Sequence, residues 1–340
     1  LKRYFRDYAQ HFDLARHYEF NTRVLSVTPE NGGWQITTER DGHQQSRHFA
    51  GVMIANGTLH TPNQPQLPGE FAGRIMHSSE YRDPSVFKDK RVLIVGCGNS
   101  GADIAVDAVH HADTLGGKLK LPRKLKQRVD AAMIRMIMGK PSDYGLPDPD
   151  YRMYESHPVV NSLILHHLGH GDIKARRDIN SMAGNKVSFV DGESGEYDLI
   201  LLATGYQLDY PFIDRKHLNW PAQVDAPQLY MNVFHPQYDN LFMMGMIEAA
   251  GLGWEGRNQQ ARLAALYIHQ RQQCSPAALQ FAETKRQQAT SNLDGGYDYI
   301  KLARMAYYVN KDAYLAALNQ HITALEAELQ ASTPEPVATT

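Results

Sequence analysis

The sequence contains little cysteine and no long hydrophobic run. Its 340 residues include only Cys97 and Cys274, which lie far apart and form no Cys-x-x-Cys pair. Such cysteine usage excludes a disulfide framework and favours a reducing intracellular compartment, so we expect a cytoplasmic protein. No apolar run approaches the roughly 18 residues that a membrane-spanning helix requires, and we expect no membrane partner.

A large charge of one sign is also missing. The formal net charge is −2, with 21% charged and 42% hydrophobic residues. Neither nucleic acid nor an anionic membrane is indicated as a partner, and a sizeable hydrophobic core is expected. At roughly 150 residues per domain the length predicts two domains. The chain begins with Leu1 in a charged, amphipathic stretch, and we therefore expect a fragment or a processed sequence.

The strongest local motif follows the apolar run Val92–Val95. Gly96, Gly98 and Gly101 form Gly-x-Gly-x-x-Gly, and an alanine-rich helix follows. In a strand–turn–helix unit, the first glycine permits the tight turn and the second lets the backbone approach a pyrophosphate. The third allows close packing of helix on strand. The motif predicts a dinucleotide-binding site at the amino terminus of this helix.

A second motif is an acid and an apolar strand that end in Ala203-Thr204-Gly205. This pattern is typical of a strand end that packs near a bound dinucleotide. The earlier segment Val52–Gly57 resembles a degenerate copy of it. Two such segments indicate a chain that crosses twice between two dinucleotide-binding domains.

The third motif occupies residues 71–82. Phe71, Gly73, His77 and Tyr81 match the four fixed positions of F-x-G-x-x-x-H-x-x-x-[Y/F]. This fingerprint, placed just before the glycine motif, resembles that of the flavin-containing monooxygenases. The related Baeyer–Villiger enzymes have Trp at the position of Tyr81, so the N- and S-oxygenating branch is the more similar. The resemblance covers nearly the whole chain.

The resemblance implies FAD and NADP as cofactors and an NADPH-dependent flavoprotein monooxygenase as the activity. NADPH would reduce FAD, the flavin would capture O2 as a C4a-hydroperoxide, and a soft nitrogen or sulfur nucleophile of a small-molecule substrate would take one oxygen. The implied cofactor-binding residues are Gly96, Gly98, Asn99, Ser100 and Gly101 at the pyrophosphate, His77, Ser78, Tyr81 and Arg82 near the nicotinamide nucleotide, Thr204 and Gly205 at the strand end, and Phe71 and Gly73 in the fingerprint. No catalytic base and no metal site is assigned, because the cofactor carries the chemistry.

The implied fold is α/β, with two Rossmann-like, three-layer domains. Residues 1–83 and 193–330 would form a discontinuous and incomplete FAD-type domain, residues 84–192 an inserted NADP-binding domain, and residues 331–340 a disordered tail. The family's FAD fingerprint would lie upstream of Leu1, so we expect an N-terminally truncated member.

The sequence also differs from the family in its NADP domain. In the family, residues of the second strand of this domain determine the cofactor preference, and no such strand is apparent after Asp113. The basic residues there either hold a 2′-phosphate or form a solvated helix face; they are Lys118, Lys120, Arg123, Lys124, Lys126 and Arg128.

Three other functions remain as alternatives. A truncated, non-catalytic NADP-binding remnant is one, a Baeyer–Villiger monooxygenase is another, and a thioredoxin-reductase-like flavoprotein is the third. The third requires a redox-active Cys-x-x-Cys, which the chain does not have. A homodimer is also left open.

Overall fold

The computed structural model of the protein describes residues 2–109, 136, 139–288 and 292–332, which form an α/β fold. The strands are β1 (Arg23–Glu30), β2 (Gly33–Arg40), β3 (His43–Phe49), β4 (Val52–Ile54), β5 (Thr61–Pro62), β6 (Gly69–Phe71), β7 (Arg74–His77), β8 (Val92–Val95), β9 (Ile179–Gly184), β10 (Lys186–Phe189), β11 (Ser194–Glu196), β12 (Leu199–Leu202), β13 (Tyr206–Gln207) and β14 (Leu241–Met243). The α-helices are α1 (Lys2–His11), α2 (Asn99–Val109), α3 (Leu163–His170), α4 (Gly253–Gln272), α5 (Pro276–Gln287) and α6 (Lys311–Ser332).

Strands β1, β2 and β3 form an antiparallel meander with tight turns. Asp41 and Gly42 both have positive φ, of 52° and 78°, as a two-residue type I′ turn requires, so β2 and β3 form a tight hairpin. Trp34 on β2 is fully buried, and its indole nitrogen donates to Asn240 Oδ1 at 3.1 Å. This bond attaches the meander to the residue that precedes β14.

Strands β4 and β14 pair in parallel, and a helical layer packs beside them. Buried residues of helices α4, α5 and α6 share one hydrophobic cluster with Phe242 of β14. Leu263, Tyr267 and Leu318 in this cluster have no exposed surface. The cluster explains why α4, α5 and α6 are stable as three packed helices rather than as isolated segments.

A charged cluster lies where these helices meet the turn before β14. The Asp239 carboxylate accepts hydrogen bonds from Lys285 at 2.9 Å, Arg286 at 2.9 Å and Arg271 at 3.2 Å. The Tyr267 hydroxyl donates to it at 3.1 Å. Burial raises the pKa of Asp239, but its cationic partners, Lys285 first, hold that pKa below its ordinary value. Lys285 is only 1% exposed, so this pair holds the turn against α4 and α5.

The glycine motif belongs to a different sheet. Among the described residues, three parallel strands form this sheet in the order β7–β12–β8. Strand β12 is buried throughout because it lies between two neighbours, with hydrophobic clusters on both faces. The predicted insertion, residues 84–192, therefore leaves out two of the strands that pair in this sheet. The domain boundaries stay a prediction.

A second sheet, with the order β11–β10–β9–β6 among the described residues, packs beside the first. Val187, Met182 and Phe189 from this sheet share a buried cluster with Leu93 and Ile200 from the parallel sheet. The predicted tail begins inside helix α6, which continues to Ser332. The rest of that predicted tail, residues 333–340, lies outside the described residues.

Candidate dinucleotide site at the strand ends

The turn between β8 and α2 requires glycine at two positions. Gly96 has a φ of +114°, and a Cβ there would lie 2.4 Å from the Ala203 carbonyl oxygen. A Cβ on Gly101 would lie 2.0 Å from the Gly96 carbonyl oxygen. Both contacts are with backbone, which cannot move aside. The first helical turn therefore packs directly on the end of the strand, as the sequence motif predicts.

Gly98 is different because the space around it is open. Among the described residues, a Cβ at Gly98 would meet one atom within 4 Å, Nη1 of Arg304 at 3.8 Å. The backbone N–H groups of the first turn of α2, including that of Ser100, have no acceptor within the helix. Their positive dipole end is suited to an anion. This cradle fits the pyrophosphate of a dinucleotide such as NADP.

The side chain of Asn99 holds a neighbouring segment of the chain. Its amide nitrogen donates to the Pro158 carbonyl at 3.0 Å, and its amide oxygen accepts from the Val160 amide at 3.0 Å. Asn161 adds a bond to Asp103 of α2 at 2.9 Å. The side chain of Asn99 thus positions this segment beside α2, and the assignment of Asn99 to the pyrophosphate stays a prediction. The segment 158–161 carries no motif, so the sequence did not reveal it.

His77 ends strand β7 at the same edge of the sheet and is only 1% exposed. Its Nε2 donates to the Gly205 carbonyl at 3.0 Å, and its Nδ1 accepts from the Ser79 amide at 3.1 Å. Both ring nitrogens are thereby used within the protein. His77 joins the fingerprint to the Thr204-Gly205 turn, so its observed role is structural support of the site.

We expect His77→Ala to lower the free energy of unfolding by about 2–3 kcal/mol, because it removes two buried hydrogen bonds and leaves a cavity. Urea unfolding followed by circular dichroism measures this loss. Ser78→Ala is the matched control, since no hydrogen bond of the Ser78 side chain is present among the described residues, and it should change stability by less than about 0.5 kcal/mol. Unchanged stability with lost NADP binding in His77→Ala would contradict the structural role.

Tyr81 turns away from the glycine turn and packs against α2. Its hydroxyl donates to the Asp107 carboxylate, and its ring stacks on Phe87 with centroids 5.3 Å apart. Burial, together with Asp107, raises the pKa of Tyr81. Arg82 folds back on its own turn, where its guanidinium donates to the Ser79 carbonyl at 2.8 Å. Both side chains therefore support the strand end through contacts within the protein.

Phe71 and Gly73 lie at the opposite edge of the sheet. Gly73 directly precedes β7, and a Cβ there would lie 2.6 Å from the carbonyl oxygen of Asp198, the residue before β12. Phe71 ends β6, where it pairs with Gly184. A four-residue strand spans roughly 13 Å, so the structure does not bring these two residues to the carboxyl edge. They support the amino-terminal edge of the sheet, and their assignment to the cofactor stays a prediction.

Thr204 and Gly205 lie where the chain crosses back between the two parallel sheets. The Thr204 hydroxyl donates to the Asn63 carbonyl, and the Asn63 amide donates to the Gly205 carbonyl at 2.9 Å. Strands β5 and β13 pair beside these bonds. The two crossings predicted from the sequence therefore run together and are joined to each other.

A C-terminal segment reaches this edge and was missed by the sequence analysis. Tyr308 forms a hydrogen bond with His157 at 3.2 Å, and Ile300 donates to the Glu155 carbonyl at 2.9 Å. Arg304 lies between them, beside Gly98. More than 140 residues separate the partners, and no spacing pattern connects them. The basic residues proposed for a 2′-phosphate, from Lys118 to Arg128, lie outside the described residues.

Within the described ranges no helix is long and apolar enough to cross a membrane. The carboxyl edge of a parallel sheet, a glycine turn and a helix amino terminus together define a dinucleotide-binding α/β protein. The flavin-binding monooxygenase-like family model matches residues 1–116 and 118–326. The chain belongs to this family, whose members are FAD- and NADPH-dependent monooxygenases.

Individual relatives agree with this assignment. The chain is 29% identical to flavin-containing monooxygenase 1 of Homo sapiens over 358 aligned residues, covering 93% of this chain and 67% of that protein. Among solved structures, S-allyl-L-cysteine S-oxygenase from Allium sativum is 19% identical with a TM-score of 0.57, covering 98% of this chain and 66% of the other. NADP+-bound cyclohexanone monooxygenase from Rhodococcus sp. Phi1 is 16% identical with a TM-score of 0.68, covering 97% of this chain and 82% of the other.

The chain matches only part of the length of these relatives. The chain spans about two thirds of the human protein and 60% of Tmm from Pelagibacter sp. strain HTCC7211, which is 18% identical with a TM-score of 0.58. The structural similarities establish the fold.

Proposed function

We propose that the chain is part of an FAD- and NADPH-dependent monooxygenase that transfers one oxygen atom from O2 to a nitrogen or sulfur of a small molecule. The observation that carries the proposal is the glycine turn at the carboxyl edge of β8, where Gly98 leaves the backbone open to a pyrophosphate. Family membership supports the flavin and the oxygenation.

In the proposed reaction, the residues of this chain bind and orient the cofactor. The turn from Gly96 to Gly101 holds the NADP pyrophosphate, while His77 and Thr204 hold the strand ends on which that turn rests. FAD, when bound and reduced by NADPH, supplies the oxygen-transfer chemistry. We place its site at the carboxyl ends of β4 and β14, because ligands of open parallel sheets bind there.

The proposed division of the chain follows the sheets. An NADP-type part of residues 69–205 keeps β6 to β12 together, and the FAD-type part comprises the residues before and after it. The N- and S-oxygenating branch is supported by Tyr81, whose hydroxyl is engaged by Asp107, in the position where the Baeyer–Villiger enzymes have Trp. A homodimer and a cytoplasmic location stay predictions.

The visible absorption spectrum of the chain, taken after incubation with FAD and desalting, tests the proposal. We expect a retained flavin band that NADPH bleaches without oxygen, and conversion of a thioether to its sulfoxide when air is admitted. Gly98→Ala is the matched control and should retain flavin but bleach slowly with NADPH. Absence of retained flavin would contradict catalysis by this chain and would favour an NADP-binding remnant.

A further inference from the structure

Arg304 lies on a short 3₁₀ helix, Ala303–Met305, that is held firmly in place. The Met305 amide donates to the Leu302 carbonyl at 2.7 Å, and the side chains of Met305 and Tyr307 are buried. The helix also contacts strand β13, which directly follows Gly205. Buried neighbours and this contact fix the backbone at the sheet edge while the Arg304 side chain remains exposed.

The guanidinium of Arg304 faces the open position of the glycine turn. Its Nη1 lies 3.8 Å from the point where a Cβ of Gly98 would be. Arg82, another arginine near this edge, is engaged, because it donates to the carbonyl oxygens of Ser79 and Tyr81. Arg304 makes no hydrogen bond or ion pair with any residue that the structure describes.

The chemistry of a guanidinium matches the group that this turn is built to receive. A dinucleotide pyrophosphate carries two negative charges, and arginine binds phosphate oxygens with two parallel hydrogen bonds. The amides of the turn and the dipole of α2 approach such a ligand from one side only. A cation beside Gly98 would contact it from another.

We propose that Arg304 completes the NADP pyrophosphate site, so that the C-terminal segment binds the dinucleotide together with the turn of Gly98. The inference rests on the proposed function and adds a binding residue from outside the strand–turn–helix unit. It makes NADP a bridge between α2 and the helix Ala303–Met305, which are about 200 residues apart in sequence.

Isothermal titration of the full chain with NADP+ tests this contact. Arg304→Ala should weaken the Kd by about 10- to 100-fold, as expected for a lost charged hydrogen bond. Arg304→Lys should retain part of the affinity, because it keeps the charge and loses the bidentate geometry. Lys301→Ala is the matched control, since Lys301 is an exposed cation three residues away, and its Kd should stay within about twofold of the wild type.

Adenosine 2′-monophosphate, which has neither phosphate of the pyrophosphate, separates a direct contact from a general defect in the fold. Its Kd should be the same for the wild type and Arg304→Ala. Equal NADP+ affinity in these two proteins would overturn the inference while leaving the proposed cofactor intact. An equal loss of affinity for both ligands in Arg304→Ala would also overturn the inference. A wild-type chain that binds adenosine 2′-monophosphate but not NADP+ would contradict the proposed function and the Arg304 contact together.

Discussion

Gly101→Ala should abolish NADP binding, with an affinity loss of at least about 100-fold, a loss of roughly 3 kcal/mol of binding free energy. A Cβ at this position would lie 2.0 Å from the Gly96 carbonyl oxygen, so α2 must move away from the strand and the anion cradle must open. The same overpacking should lower the free energy of unfolding by about 1–3 kcal/mol. Titration with NADP+ and urea unfolding of the same protein measure the two effects.

Gly98→Ala provides a sharp comparison in the same turn. Its Cβ would have only the end of the Arg304 side chain nearby, at 3.8 Å, so stability should be nearly unchanged. NADP affinity should still fall, because the methyl group occupies the approach of the pyrophosphate. If Gly101→Ala binds NADP normally, or if both variants lose stability equally, the assigned roles of the two glycines are wrong.

Asp239→Asn should be the most destabilising single change among those considered, with a loss of about 3–5 kcal/mol in the free energy of unfolding. Asp239 is the carboxylate partner of Lys285, which is 1% exposed and cannot reach water. Removing that charge leaves the buried ammonium without a counter-ion, with only the carbonyl oxygens of the turn before β14 as partners. Chemical unfolding monitored by circular dichroism gives the difference directly.

Two controls test whether the buried lysine causes the loss of stability in Asp239→Asn. Glu283→Gln removes an exposed partner of Arg286, 3.8 Å away, and should cost less than about 1 kcal/mol. The double variant Asp239→Asn with Lys285→Met should recover much of the loss, because no unpaired charge remains. Failure of the double variant to recover would mean that the turn geometry, rather than the charge, is responsible.

The pH dependence of Asp239→Asn follows from the same pair. Burial already lowers the pKa of Lys285, although Asp239 opposes the shift, and loss of Asp239 lowers that pKa further. A lysine whose folded pKa lies below its unfolded value destabilises the fold while it is protonated, and the penalty fades as pH rises. The variant should therefore be closer to the wild type in stability at pH 9 than at pH 6.

The sequence predicted the parts of the site that a local motif encodes. Gly96, Gly98 and Gly101 form the turn that their spacing predicts: Gly96 has a positive φ, Gly101 packs on Gly96, and Gly98 has open space around it. The fingerprint was harder to interpret. Its spacing does not say that the chain from Phe71 to His77 runs across the whole sheet, so one end supports the amino-terminal edge and the other the carboxyl edge.

Contacts between residues that lie far apart in the sequence could not be predicted from it. The bond from Asn99 to Pro158 and the approach of Arg304 to Gly98 join segments with no periodicity or motif in common. Lys285 has the appearance of an exposed helix residue among charged neighbours, yet tertiary packing buries it beside Asp239. Such contacts depend on where helices dock, which local sequence does not specify.

The two joined crossings have a topological consequence. Since the Asn63 amide and the Gly205 carbonyl oxygen are 2.9 Å apart, residues 64–204 leave and rejoin the rest of the fold at a single point. A segment whose ends coincide can be excised, and the remaining chain closed by a short linker, without stretching either piece. Residues 64–204 are therefore a natural unit for circular permutation or for transfer into another protein.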